Sequence, residues 1–330
     1  MIHAHYYRGK LCFASLEKPS KGSIKLGINF FMPTGLRSKT HKFIWKLKSI
    51  LGIFSVNKEE NKPLTEKLVS ISTILQKEGF NSDDIIFLFP MDETSKRIYF
   101  QTTYNDDVLF WKSVFDKTNA ARLQTEFNTL QEVSQTPDIN FTVSKPKKLI
   151  VHENICLMSF NYEPTNSRAK LSGSEEDILI SRFAQFNQIE KNSMDIKTCS
   201  WWNDSLTENI PSKINLKTID TAWAHGDLSA QNISFTKGKL RVFDWEDFTK
   251  DAPLYSDITR YLTSTEKQRF HGAVRAEVII TLMSKTKMSV SSICAVGLFL
   301  ISKNHTDKPN LIGHYLINCI NEYFIVQKNI

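Results

Sequence analysis

The chain has 330 residues and a mass of 38.0 kDa, enough for one large or two modest domains with a sizeable core, so a mini-protein stapled by metal or disulfides is excluded. Hydrophobic residues make up 41% and charged residues 23%, which argues against wholesale disorder and a collagen-like fibre. Residues 1–90 hold 14 Lys/Arg against 7 Asp/Glu and residues 91–330 hold 28 of each, so the whole net charge of +7 lies in the first quarter of the chain. An anionic partner for that quarter, membrane lipid or nucleic acid, is one reading of the excess; mild basicity without such a partner is the other.

The opening MIHAHYYRGK lacks the apolar core of a secretory signal, and no 18-residue apolar run occurs, so no membrane span is expected. The uncharged but serine-interrupted stretch at residues 288–302 reads as a buried helix. Cys12, Cys156, Cys199, Cys294 and Cys319 are far apart and odd in number, suggesting neither a disulfide framework nor a zinc site and fitting a reducing cytoplasm.

Along the chain, residues 39–54 place Phe43, Leu47, Ile50, Leu51 and Phe54 on one helical face, accompanied by Arg37, Lys39, Lys42, Lys46 and Lys48 without an acid. Such a helix either packs its stripe on its own domain or lies in a membrane interface, with Trp45 beside the stripe. A second helix follows, with Pro63 at its start, Leu64, Leu68, Ile71 and Leu75 as its stripe, and Gly79 at its stop. Residues 84–115 read as three short strands joined as an antiparallel meander. Next comes a helix with Ala120, Leu123, Phe127 and Leu130 inward, then strands KKLIV and ICLMSF around a His152-Glu153-Asn154 turn. After Pro164 helices dominate, the first with Ser174 and Asp177 at capping spacing. They are interrupted by one strand-and-loop island at residues 221–249.

That island reads TAWAHGDLSAQNISFTKGKLRVFDWEDF. Asn232 follows Asp227 by five residues, and a hairpin at Lys237-Gly238-Lys239 brings a strand ending at Asp244 back alongside. Two carboxylates and an amide gathered in this way suit phosphoryl transfer from a magnesium nucleotide. Hard cations neutralise the charge of the transition state through oxygen ligands, while a carboxylate orients the attacking hydroxyl. Isolated aspartates often only cap turns, which is the competing reading of each alone.

H-G-D-x-x-x-x-N followed by D-W-E resembles the aminoglycoside phosphotransferase and choline kinase family, over about residues 84–265. The resemblance implies an α+β, bilobal protein-kinase-like fold, with a small antiparallel-sheet lobe and a larger mainly helical lobe, to which the residues before it add an N-terminal helical extension. The implied division is a basic extension at 1–83, a nucleotide-binding lobe with its hinge at 84–163, and a catalytic and substrate-binding lobe at 164–330. Carried across, Asp227 is the catalytic aspartate, Asn232 and Asp244 are the magnesium ligands, His225 braces the loop, and Asp257 either N-caps its helix or steadies the loop. Lys112 is the lysine on the nucleotide phosphates. Glu126 is its expected partner, since a lysine within an apolar strand needs one; two solvated charges are the alternative. Met158, Ser159 and Asn161 fall where the hinge meets adenine, with Phe160 as an alternative lining residue.

The first strand turn, MDETSKR, has no glycine-rich segment, so its backbone amides or the hydroxyls of Thr94 and Ser95 are the groups that could take its place; with no A-P-E segment after Asp244, this argues against a protein kinase. The expected cofactors are ATP and Mg2+, and the expected acceptor is a hydroxyl on a small molecule or glycan, such as a sugar, amino sugar or choline-like alcohol. The rival readings are a non-catalytic nucleotide-binding scaffold and a basic module docking on membrane or nucleic acid. Of the two docking partners an anionic membrane, met through residues 37–54, is the favoured one. Glu246 and Asp247, beside Asp244, either support the metal site or a cationic substrate or are simply solvated.

Overall fold

A computed structural model describes the chain except residues 8–9, 31–35, 51–56, 82–84, 91–96, 105–106, 138, 162–170, 237, 270–274, 304–310 and 329–330. The fold is α+β and divides into two compact units, Met1–Gln131 with Ser144–Pro164, and Glu132–Val143 with Thr165–Ile330. In order, the first half of the chain runs β1 (Ile2–Tyr7), β2 (Lys10–Ser15), α1 (Lys21–Phe30), α2 (Leu36–Ile50), β3 (Asn57–Glu59), α3 (Lys62–Lys77), β4 (Phe87–Leu88), β5 (Ile98–Tyr104), β6 (Asp107–Val114), α4 (Lys117–Gln135), β7 (Thr142–Val143), β8 (Pro146–His152) and β9 (Ile155–Asn161).

The first unit is built on one sheet of eight strands, ordered β3-β1-β2-β4-β5-β6-β9-β8, with every pairing antiparallel. The period of two along each strand gives this sheet two apolar faces. Ala14 and Phe87 join α3's Leu68, Ile71 and Leu75 in one cluster. Their strand neighbours Phe13, Ile86 and Leu88 join Ile28 of α1 and Trp45 of α2 in the other. Helix α3 forms as its sequence signals require: Asn61 accepts from the N–H of Leu64 (3.2 Å), proline stands in the first turn, and Gly79 at φ +81° marks the end.

Residues 1–83, expected as a partly helical extension, do contain α1 to α3, but they also supply three strands of this sheet. The face of α2 differs too. Trp45 is 8% exposed and buried in the sheet cluster, whereas Phe43 (62%) and Leu47 (44%) point outward. Two residues along a helix is about 200° of rotation, so a helix docked through Trp45 must turn Phe43 and Leu47 away. Leu51 and Phe54 lie outside the described residues.

The second unit continues with α5 (Gly173–Phe186), β10 (Asn192–Asp195), β11 (Thr218–Ala224), β12 (Ile233–Thr236), β13 (Lys239–Val242), β14 (Thr249–Pro253), α6 (Ser256–Arg269), α7 (Arg275–Thr286), α8 (Val290–Ser302) and α9 (Leu311–Val326). It has two small sheets, β10-β11-β14 and β12-β13-β7. The capping box of α5 uses Ser172 and Glu175, two positions earlier than the Ser174–Asp177 spacing suggested, because the chain already turns helical at Gly173. Helix α8 is apolar all round and buried from Ile293 to Ile301, as a core helix must be. Among the described residues no single helix is long and apolar enough to cross a membrane. All five cysteines are buried, and none is paired in a disulfide.

Candidate functional site

In the second unit, strand β11 delivers His225-Gly226-Asp227, and the β12–β13 hairpin, paired Ile233 to Val242 and Thr236 to Lys239, delivers Asn232 and Asp244 at its two open ends. The hairpin register continues past the strands, since the N–H of Phe243 donates to the carbonyl of Asn232 (2.8 Å). Asn232 is therefore fixed beside the residue that precedes Asp244. Its side-chain Nδ2 donates to both the carbonyl (2.9 Å) and Oδ2 (3.0 Å) of Asp227. With the amide nitrogen so engaged, Oδ1 is the atom of Asn232 suited to a cation.

His225 is fully buried and acts as a spacer between the loops. The N–H of Asp227 donates to its Nδ1 (3.2 Å), which leaves the hydrogen on Nε2, donated to the carbonyl of Phe243 (2.7 Å). Its ring meets the edge of Trp245 at 4.7 Å, and Trp245 is itself buried among Phe141, Phe186 and Phe248. Asp257, in the first turn of α6, accepts the N–H groups of His225 (2.7 Å) and Gly226 (2.9 Å), so both leading backbone donors of the loop end on one carboxylate. Burial pushes the Asp257 carboxyl above the usual carboxylate range, against the opposing pull of His225, the two backbone bonds and Arg260.

Two backbone positions carry local constraint. Gly226 sits at φ +84°, and a Cβ there would lie 2.1 Å from the carbonyl oxygen of Asp247. Only glycine lets the two loops touch. Asp244 itself adopts φ +62°, a left-handed conformation costing on the order of 1–3 kcal/mol in a non-glycine residue.

Two residues in this network carry no signature in the sequence. Arg260, three positions after Asp257 on the same face of α6, forms an ion pair with Asp227 Oδ1. Lys303, at the C-terminal end of α8, donates to the carbonyl of Asp247 (3.2 Å) and to Thr249 Oγ1 (2.5 Å). It holds from behind the carbonyl that Gly226 abuts. Neither pairing is marked by local spacing in the sequence.

In the first unit, Lys112 and Glu126 form an ion pair at 2.6 Å and are 5% and 2% exposed, so they are not two solvated charges. Lys112 lies opposite Met158 in the β6–β9 register, which puts both side chains on one face of the sheet. Met158 and Ser159 are buried, Ser159 on the other face opposite Trp111, and Asn161 is exposed at the strand end. Thr94 and Ser95 lie outside the described residues.

Asn232 Oδ1 and the Asp244 carboxylate offer only hard oxygen, which fits magnesium rather than a thiolate- or imidazole-seeking metal. No family model and no curated protein matches the chain. Among solved structures it is similar to small-molecule phosphotransferases. One is a thermostable variant of aminoglycoside phosphotransferase APH(4)-Ia in ternary complex with ADP and hygromycin B, with 9% identity over 76% of this chain and 97% of that one, TM-score 0.47. A protein from Haemophilus somnus assigned as a fructosamine-3-kinase shares 13% identity over 76% and 96%, TM-score 0.46. Aminoglycoside phosphotransferase APH(3'')-Id from Streptomyces rimosus shares 12% over 77% and 98%, TM-score 0.44.

Proposed function

We propose that the protein is an ATP- and magnesium-dependent kinase that phosphorylates a hydroxyl of a small molecule or glycan, such as a sugar, amino sugar or choline-like alcohol. The observation that carries this reading is the bonding of Asn232 to Asp227 within a loop whose other strand ends at Asp244. Asp227 orients the acceptor hydroxyl and takes its proton. Asp244 and Asn232 Oδ1 hold the cation, which when bound offsets the charge of the transferring phosphoryl group. Lys112, aligned by Glu126, secures the nucleotide phosphates, while Met158, Ser159 and Asn161 meet the base, with Thr94 and Ser95 toward the phosphates. His225 and Asp257 hold the loop. The setting is the reducing cytoplasm, which five buried cysteines outside any disulfide suit, with peripheral contact to an anionic membrane through residues 37–54.

The test is release of ADP by the full chain from ATP and magnesium across a panel of hydroxyl compounds. Asp227→Ala should lower acceptor-dependent turnover about 10²–10⁴-fold while calorimetry still detects magnesium-ATP. Binding of nucleotide with no transfer to any acceptor would favour a scaffold instead. Unchanged turnover in Asp227→Ala would overturn the role of that aspartate.

A further inference from the structure

We infer that the outward face of α2 docks on an anionic phospholipid surface, with Phe43, Ile44 and Leu47 entering the headgroup boundary and the flanking lysines meeting lipid phosphates. This develops the peripheral contact named above and does not depend on phosphoryl transfer.

Three features of the structure combine here. The helix is anchored to its own unit through Trp45, whose ring lies edge-on to His5 (4.6 Å) and Tyr7 (5.6 Å) in a buried cluster. Its opposite side exposes Phe43, Ile44 and Leu47, three large apolar residues within five positions, where an amphipathic helix would ordinarily present polar ones. Lys46 and Lys48 are exposed beside them. The charge setting is one-signed, because residues 18–58 contain nine Lys/Arg and no Asp or Glu.

Charge selects the occupant. A second copy of the chain packed on this face by two-fold symmetry would set each basic helix against its like. Nucleic acid would satisfy the lysines but leave Ile44 and Leu47 without apolar cover, since it is gripped through phosphates, base edges and aromatic stacking. A lipid surface accepts both components at once: anionic headgroups for lysine, and acyl chains for the aliphatic side chains.

The experiment is cosedimentation of the full chain with phosphatidylcholine vesicles, with and without about a third phosphatidylserine, at low salt and at about 0.5 M salt. Binding is expected only with phosphatidylserine and is expected to weaken steeply with salt. Lys46→Ala should weaken it about fivefold, the equivalent of about 1 kcal/mol per basic residue at such a surface. Phe43→Ser/Leu47→Ser should weaken it more than tenfold. Circular dichroism and nucleotide binding of these variants should match the parent, because all three side chains are exposed. Three results would each overturn the docking: no sedimentation with either vesicle, equal sedimentation of the parent and the Phe43→Ser/Leu47→Ser variant, or a self-association that this variant abolishes. Loss of kinase activity with vesicle binding retained would count against the proposed reaction alone.

Discussion

Arg260 closes an ion pair on Asp227 from α6, the helix whose first turn also carries Asp257 beneath the same loop. The pair leaves Asp227 Oδ2 bonded to Asn232 and Oδ1 to Arg260, so the carboxylate plane is set by two neighbours before any acceptor arrives. That makes Arg260 a positioning residue for the proposed transfer. Arg260→Gln should lower kcat about 10–100-fold, the order of loss that misplacing a reacting group brings, with KM for ATP changed less than about threefold. Arg260→Lys should recover part of kcat, since the charge returns without the planar fork. Equal loss in both kcat and ATP affinity would mean that the arginine serves only the fold.

The Lys112–Glu126 pair separates structure from function by a double replacement. Lys112→Met leaves a buried carboxylate without its partner and should cost about 3–5 kcal/mol in urea unfolding. Lys112→Met/Glu126→Leu removes both charges and should return to within about 2 kcal/mol of the parent. If Lys112 binds phosphates, the double variant stays folded yet loses magnesium-ATP affinity in calorimetry. Retained affinity would leave the pair a purely structural one.

Gly226 and Gly238 share a positive φ, +84° and +74°, but differ in surroundings: nothing lies within 4 Å of a Cβ at Gly238. Gly238→Ala should therefore cost only the conformational part, about 1 kcal/mol. Gly226→Ala adds the collision with Asp247 and should cost at least about 3 kcal/mol or displace the loop, with turnover lost in either case. Denaturation midpoints of the two variants compared side by side check this; equal shifts would contradict the close approach.

His5 stacks on Phe13 with ring centres 5.0 Å apart, and burial pulls its imidazole down to about 4 from an ordinary value of 6.5. The folded protein thus resists a proton that the unfolded chain accepts, so unfolding takes up a proton in this window. The His5 contribution is whole above about pH 6.5 and is lost as pH falls toward 4. His5→Phe should flatten the stability curve between those values. Parallel curves for variant and parent would assign the acid sensitivity elsewhere.

The parts legible in the sequence were those whose evidence is local. H-G-D-L-x-x-x-N leads straight into the hairpin whose far strand ends at D-W-E, so their spacing already implied proximity, and the bonds of Asn232 to Asp227 need no distant element. Strands β5, β6, β8 and β9 and the buried helix α8 were equally plain from apolar runs and turns. What escaped depends on residues far apart in the chain. IHAHYY mixes histidine and tyrosine with few aliphatics and reads weakly as a strand, yet β1 becomes one by pairing with β2 and β3. Without β1 there was no His5 and Tyr7 for Trp45 to dock on, and the more regular stripe of Phe43 and Leu47 was the natural inward face. Arg260 is separated from Asp227 by 33 residues and Lys303 from Asp247 by 56, distances at which spacing carries no signal.

The buried thiols have a consequence of their own. Burial pushes Cys12 and Cys156 up to about 11 and Cys199 and Cys294 up to about 12, while Cys319 is enclosed in α9. The first four thus offer almost no thiolate to an alkylating reagent or an oxidant at neutral pH, and Cys319 is shielded by its burial. Sulfur chemistry becomes a clock for opening of the protein: the rate at which each cysteine is labelled reports how often its surroundings come apart.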